Sequence, residues 1–202
     1  MRFYKNCLAA AALAALCISA HAAVDTISIT SGQFTPIPQP NTVTFDSPIP
    51  YDIYYSSTEL VQGTVPGVYV APLYDTTKYL RTVDTPTTIT FNGAGATYFG
   101  FYLGSSDVEN TVTVYGSDGS VTTWNGQQLW ELEGGTYQDS FYVNLWASSG
   151  TTFTAIVLSS DVTPMETDNH AYILAAVPEP ETYAMLLGGL ALMGVVARRR
   201  RR

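Results

Sequence analysis

Beyond the N-terminal leader the chain has one histidine, His170, with which to attempt nucleophilic chemistry. A serine triad needs that imidazole beside a serine and an orienting carboxylate, and an α/β-hydrolase presents its serine on a G-x-S-x-G elbow. No such elbow occurs, and His170 lies in "METDNHAY", just ahead of an expected strand. Zinc sites draw mainly on His and Cys. Cys7 and Cys17 both fall in the leader, so one imidazole and no thiol remain. Glu131 and Glu133 in "LWELEGG" are the best-spaced carboxylate pair. On a strand they would share one face, roughly 7 Å apart at the backbone, a pairing that could support glycoside hydrolysis. Adjacent acids on a solvated strand or turn have the same spacing. The reading is therefore non-enzymatic, with a hydrolase as the weakest alternative.

The elements that must position these residues occupy 23–176, about 154 residues, enough for one domain with its own core. This portion holds fifteen Asp and Glu against Lys78 and Arg81, a net charge of −13. That charge excludes nucleic acid as a partner, which needs a basic face. The absence of cysteine excludes disulfides, so stability must come from burial. Thr, Ser, Tyr, Val and Gly dominate, a strand-and-turn composition without a helical stretch of useful length. Strands are expected at 26–30, 43–45, 67–70, 79–83, 87–91, 97–103, 111–115, 120–124, 141–146, 152–158 and 171–175. In "TVTVYGSDGSVTTW" the Gly116-Ser117-Asp118-Gly119 run marks a hairpin, because its turn needs residues that tolerate positive φ. Pro36, Pro38, Pro40, Pro48 and Pro50 remove ladder donors from one segment, which reads as an extended edge or a loop wrapping the sheet. The fold class is all-β: a single antiparallel β-sandwich, jelly-roll-like, with no internal repeat.

Tyr98, Phe99, Phe101, Tyr102, Trp124, Trp130, Tyr142 and Trp146 supply either a core or, if exposed, a platform for sugar rings. Three stretches, 67–82, 88–126 and 153–173, together resemble a family of exosortase-dependent surface proteins. In that family a Tyr-Leu segment precedes a "YFGFYWGSxDxYNT"-like strand pair and a "FExDNhA"-like last strand. Leu103, Glu109 and Met165 depart from its usual aromatics. The resemblance implies a location and a fold, and no catalytic residues. "METDNHAY" also resembles the last-strand acidic motif of carbohydrate-binding jelly rolls, in which an Asp and nearby carbonyls hold calcium. It implies Asp168 as a ligand, joined by Glu166, or by Asp25 if the two termini run adjacent. A structural calcium is the one cofactor considered. The alternative is a turn in which Asp168 and Asn169 bond the backbone.

The two ends carry the clearest signals. Arg2 and Lys5 precede an apolar run from Leu8 to Ile18, and Ala20-His21-Ala22 is a small-x-small cleavage site. Residues 1–22 are read as a signal peptide, handled by signal peptidase and the general secretion machinery, with Ala23 as the first mature residue. Residues 177–202 hold Pro178-Glu179-Pro180, an uncharged run from Thr182 to Ala197, and Arg198, Arg199, Arg200, Arg201 and Arg202. Sixteen uncharged residues make a helix of roughly 24 Å, short of the ~30 Å hydrocarbon core. The arginines hold their end on the cytoplasmic side. With Tyr183-Ala184 and Gly188-Gly189, this three-part tail resembles the PEP-CTERM signal of Gram-negative bacteria. The resemblance implies exosortase as partner, transient retention in the inner membrane through a short hydrophobic helix, cleavage near the motif, and a final place at the cell surface or outside the cell. The functional expectation is a non-enzymatic structural or adhesive surface or matrix protein. The alternative is a carbohydrate-binding module, calcium-stabilised, in exopolysaccharide.

Overall fold

The computed structural model describes residues 22–134 and 140–177, together with residues 185, 188–190, 193 and 198 near the C-terminus. Among the described residues the elements are β1 (Val24–Thr30), β2 (Asn41–Val43), β3 (Ile53–Tyr55), β4 (Leu60–Gln62), β5 (Lys78–Thr82), β6 (Thr87–Phe91), β7 (Ala96–Leu103), β8 (Thr111–Gly116), β9 (Val121–Asn125), α1 (Gly126–Glu133), β10 (Phe141–Ala147), β11 (Phe153–Ser159) and β12 (Met165–Leu174).

All pairings are antiparallel, and all twelve strands belong to one curled sheet. The expected pair of separate sheets is corrected on this point. One wing runs β1-β10-β7-β12, and the far edge of β12 is shared by β5 along its first half and β2 along its second, with β4 outside β5. The other wing runs β3-β6-β11-β8-β9. A single pair, Phe153↔Ala96, joins them. The wings close on one core because each strand offers one apolar face. Phe99, Phe101, Val143 and Leu145 come from the first wing, and Ile89, Val112, Val114, Ile156 and Leu158 from the second; all are buried. Each such side chain contributes about 1.5–3 kcal/mol by leaving water.

The first wing is also covered on its outer face. Tyr98, Tyr102, Tyr142 and Ala171 form a second buried cluster, with Ile37 and Trp146 packed against it. Ile37 comes from the proline-rich segment, and Thr35 beside it bonds the Tyr98 hydroxyl at 2.6 Å. That segment therefore wraps the sheet, and only its three-residue β2 joins the ladder. Gly100 lies between two of these tyrosines: a Cβ there would meet the Tyr142 ring at 2.6 Å, so only glycine fits.

Three local expectations are corrected. Residues 126–133 form a helix, closed at its start by a reciprocal Asn125–Gln128 capping box and at its end by Gly134 in the left-handed region. Two turns are too few to show as periodicity. Residues 67–70 form no strand and contribute only the isolated bridge Val65↔Tyr69. β12 starts at Met165, well before 171, because pairing with β5 and β7 holds its acidic first half extended.

Candidate functional site

The chemistry of the domain gathers on β12. Its register with β7 shifts between Asp168 and Ala171, and Asn169 takes a φ of 49°. This bulge resets the alternation. Glu166 and Asp168 lie on the outer face, the second level with Tyr102, whereas Thr167 and His170 both turn to the core. Residues 67–77 then pass over the outer face and bury the two acids, which are 3% and 1% exposed. Three contacts tie that segment down. Val70 N–H donates to Glu166 Oε1 at 3.1 Å, the Tyr102 hydroxyl donates to the Leu73 carbonyl at 2.8 Å, and Leu73 N–H donates to Ser140 Oγ at 2.8 Å.

Glu166 forms part of the floor of a groove of about 580 Å³, also lined by Tyr69, Val70, Ser105, Asp107 and Ser140. Burial pushes its carboxyl up to about 7, and the charge of nearby Asp107 adds to the rise. Asp168 meets Asp75, whose carboxyl is within hydrogen-bonding reach. Burial comes first in raising Asp168 to about 8, with the Asp75 charge next among the groups that raise it.

His170 is fully buried, and burial lowers it to about 3, so it is neutral. Its Nδ1 faces the Tyr55 hydroxyl and its Nε2 the Thr167 hydroxyl, each at 3.0 Å. Phe45, Phe99 and Phe101 present ring edges around it. Tyrosine and threonine hydroxyls satisfy it, and no serine does, which makes it a core residue and not a triad base.

The other anticipated residues are placed as follows. Glu131 and Glu133 lie in α1, where residues two apart do not face each other, so the shared strand face is lost. Glu131 instead accepts from Gln127 at 2.9 Å. Asp25 stands beside the Val24↔Ala147 end of β1, roughly 14 Å from β12 across three strand spacings, and far from Asp168 along the sheet. The termini do not bring it to Glu166 or Asp168. Among the described residues no three His, Cys, Asp or Glu side chains converge as a metal cage. Sequence reasoning missed Asp75 and Asp46, which carry no local signal beyond their charge. Trp124, Trp130 and Trp146 are each half-buried, the first against the core and the third against Tyr98, so they form no exposed strip.

At the ends, Ala22 and Ala23 are already held by the domain. Ser148 Oγ donates to the Ala22 carbonyl at 2.6 Å, and Ala23 N–H donates to Thr122 Oγ1 at 3.2 Å. Ala20, the sorting residues Pro178, Glu179 and Pro180, and Arg199, Arg200, Arg201 and Arg202 lie outside the described residues; Arg198 is described as helical and exposed. No helix among the described residues is long and apolar enough to cross a membrane.

The described residues within 23–174 form an acidic, all-β domain whose imidazole is locked in the core. Residues 176–202 match the PEP-CTERM protein-sorting motif. The chain thus carries the sorting signal of exosortase-dependent secreted and surface proteins. No curated protein and no solved structure matches the chain.

Proposed function

We propose that the mature chain is a non-catalytic structural or adhesive component of the cell surface or extracellular matrix, released there after exosortase removes its tail. The observation that carries this reading is the junction. The last strand ends at Leu174, and the sorting motif begins at residue 176. Ala175 N–H still donates to the Gly95 carbonyl at 2.8 Å, which anchors the chain just before the motif. Cleavage near Pro178-Glu179-Pro180 therefore leaves intact every strand among the described residues. Residues 1–22 act as the signal peptide for general secretion, 23–176 as the ectodomain, and 177–202 as a transient inner-membrane hold with its arginines on the cytoplasmic side. The test is mass spectrometry of the native protein and of a Pro178-Glu179-Pro180→Ala variant in the same host. Wild type should end near the motif, and the variant should keep its tail. Normal trimming of the variant refutes the reading.

A second reading, binding of exopolysaccharide, is favoured by the groove over Glu166. Its volume suits a short saccharide, and Asp107, Ser105 and the half-buried Tyr69 supply polar atoms and one ring. The half-buried tryptophans count against a flat stacking platform, so a ligand would enter the groove and not lie on a strip.

A further inference from the structure

Where Asp168 meets Asp75, two buried carboxylate oxygens, Asp168 Oδ1 and Asp75 Oδ2, have no hydrogen-bond donor. The rest of each carboxyl is already engaged or constrained. Asp75 Oδ1 accepts both the N–H and the hydroxyl of Thr77, at 2.8 and 2.7 Å, which fixes the direction of the side chain. Asp168 is 1% exposed. A third carboxylate, Asp46, is close enough to act on Asp168, and its Oδ1 accepts the Lys78 N–H at 3.1 Å. Among the described residues no cationic side chain offsets this charge: Arg81 pairs with Glu59, and Lys78 is exposed. Beside Asp75 opens a pocket of about 160 Å³, lined by Asp46, Asp75, Thr44, Thr76 and Asn169 among others. At about 30 Å³ per water it has room for an ion that keeps several waters.

Two buried carboxyls in contact must hold either a shared proton or a cation in its place. We propose that Asp75 and Asp168 bind a hard divalent cation, calcium by its ligand chemistry, through Asp168 Oδ1 and Asp75 Oδ2. Calcium takes six to eight oxygens and accepts carbonyls, amides and water beside carboxylates. Two direct carboxylates agree with the absence of a three-residue cage among the described residues. Asp46 then acts through a bridging water, and the neutral oxygens of the pocket complete the shell. This set replaces Glu166 and Asp25, which the structure keeps elsewhere. Because the ion would clamp residues 67–77 to β12, it would also close one end of the segment that buries both acids. Two direct carboxylates match the weak affinity of extracellular modules, a dissociation constant on the order of 10⁻⁴–10⁻³ M.

The test uses the secreted protein stripped with EDTA and then titrated with Ca²⁺ alone, with thermal unfolding as the readout at pH 7.5. Ca²⁺ at 10 mM should raise Tm by roughly 4–10 °C, the rise growing with the logarithm of the concentration once it passes the dissociation constant. Asp75→Asn keeps the Oδ1 turn to Thr77 and can donate to Asp168. It should melt higher than wild type in EDTA and lose the calcium response. Asp25→Asn and Glu166→Gln should keep that response. Terbium luminescence excited through tyrosine gives a second readout, since Tyr74 adjoins Asp75, and it should disappear in Asp75→Asn. A wild-type Tm that ignores Ca²⁺ and only falls as pH rises through 8 would mean that a proton, not a cation, bridges the pair. That result overturns the proposal, as does a full calcium response in Asp75→Asn.

Discussion

Replacing His170 with Phe separates the packing of the imidazole from its titration. Folded His170 sits at about 3, against an unfolded value near 6.5. Between those values the unfolded chain binds a proton that the folded chain refuses. The stability tied to the neutral ring is therefore full above pH 6.5 and declines as pH falls toward 3, at about 1.4 kcal/mol per pH unit. By pH 4.5 the loss is about 2.7 kcal/mol. Phe escapes that loss but strands the Tyr55 and Thr167 hydroxyls, which now bond the ring nitrogens at 3.0 Å. Each stranded buried hydroxyl costs about 1–3 kcal/mol, and the added apolar surface offsets part of this. Wild type should then exceed His170→Phe by about 2–4 kcal/mol at pH 7.5. The gap should shrink by about 2.7 kcal/mol at pH 4.5. Urea unfolding followed by tryptophan fluorescence at both pH values measures it. Titration of Glu166 and Asp168 is common to both proteins and cancels in the difference. A gap that stays constant from pH 7.5 to 4.5 would show that His170 takes up its proton freely in the folded state, and the account of a locked neutral core imidazole would be wrong.

Gly126 starts α1 directly against the loop that carries Asp107, and a Cβ there would meet the Ser106 carbonyl at 2.6 Å. Gly126→Ala should cost about 1–3 kcal/mol in urea unfolding; a change under about 0.5 kcal/mol would mean the loop yields freely. If the groove takes a saccharide, Asp107→Ala should weaken binding on a glycan array about tenfold or more, as expected for losing a charged hydrogen bond. Undiminished binding by that variant would place the ligand elsewhere.

Strands with alternating apolar residues were legible from the sequence. Residues 87–91 were read with the observed bounds, and the hairpin at Gly116-Ser117-Asp118-Gly119 joins β8 to β9 as its turn chemistry requires. β3 and β4 were not legible, since three residues carry no period and are held only by distant partners, Phe91 to Ile89 and Leu80 to Lys78. α1 was hidden by its length, although the Asn125–Gln128 capping box was present in the sequence as a signal. The first half of β12 looked like a turn because Glu166, Asp168 and Asn169 disfavour strands. Ladder bonds to two neighbours and cover from residues 67–77 override that preference.

The sequence by itself determined the sorting signal. Such a motif is read as a linear string, so residue order carries its information, and the match at residues 176–202 needs no fold. It also determined the all-β class, the net acidity and the lack of cysteine in residues 23–176, which follow from composition. Tertiary structure decided which acids meet. Asp75 and Asp168 are far apart in the chain and become neighbours only when residues 67–77 cross β12. It also decided that His170 is a neutral core residue, because one bulge turns it inward. Burial and the approach of like charges depend on distant segments coming together, and no local pattern records that.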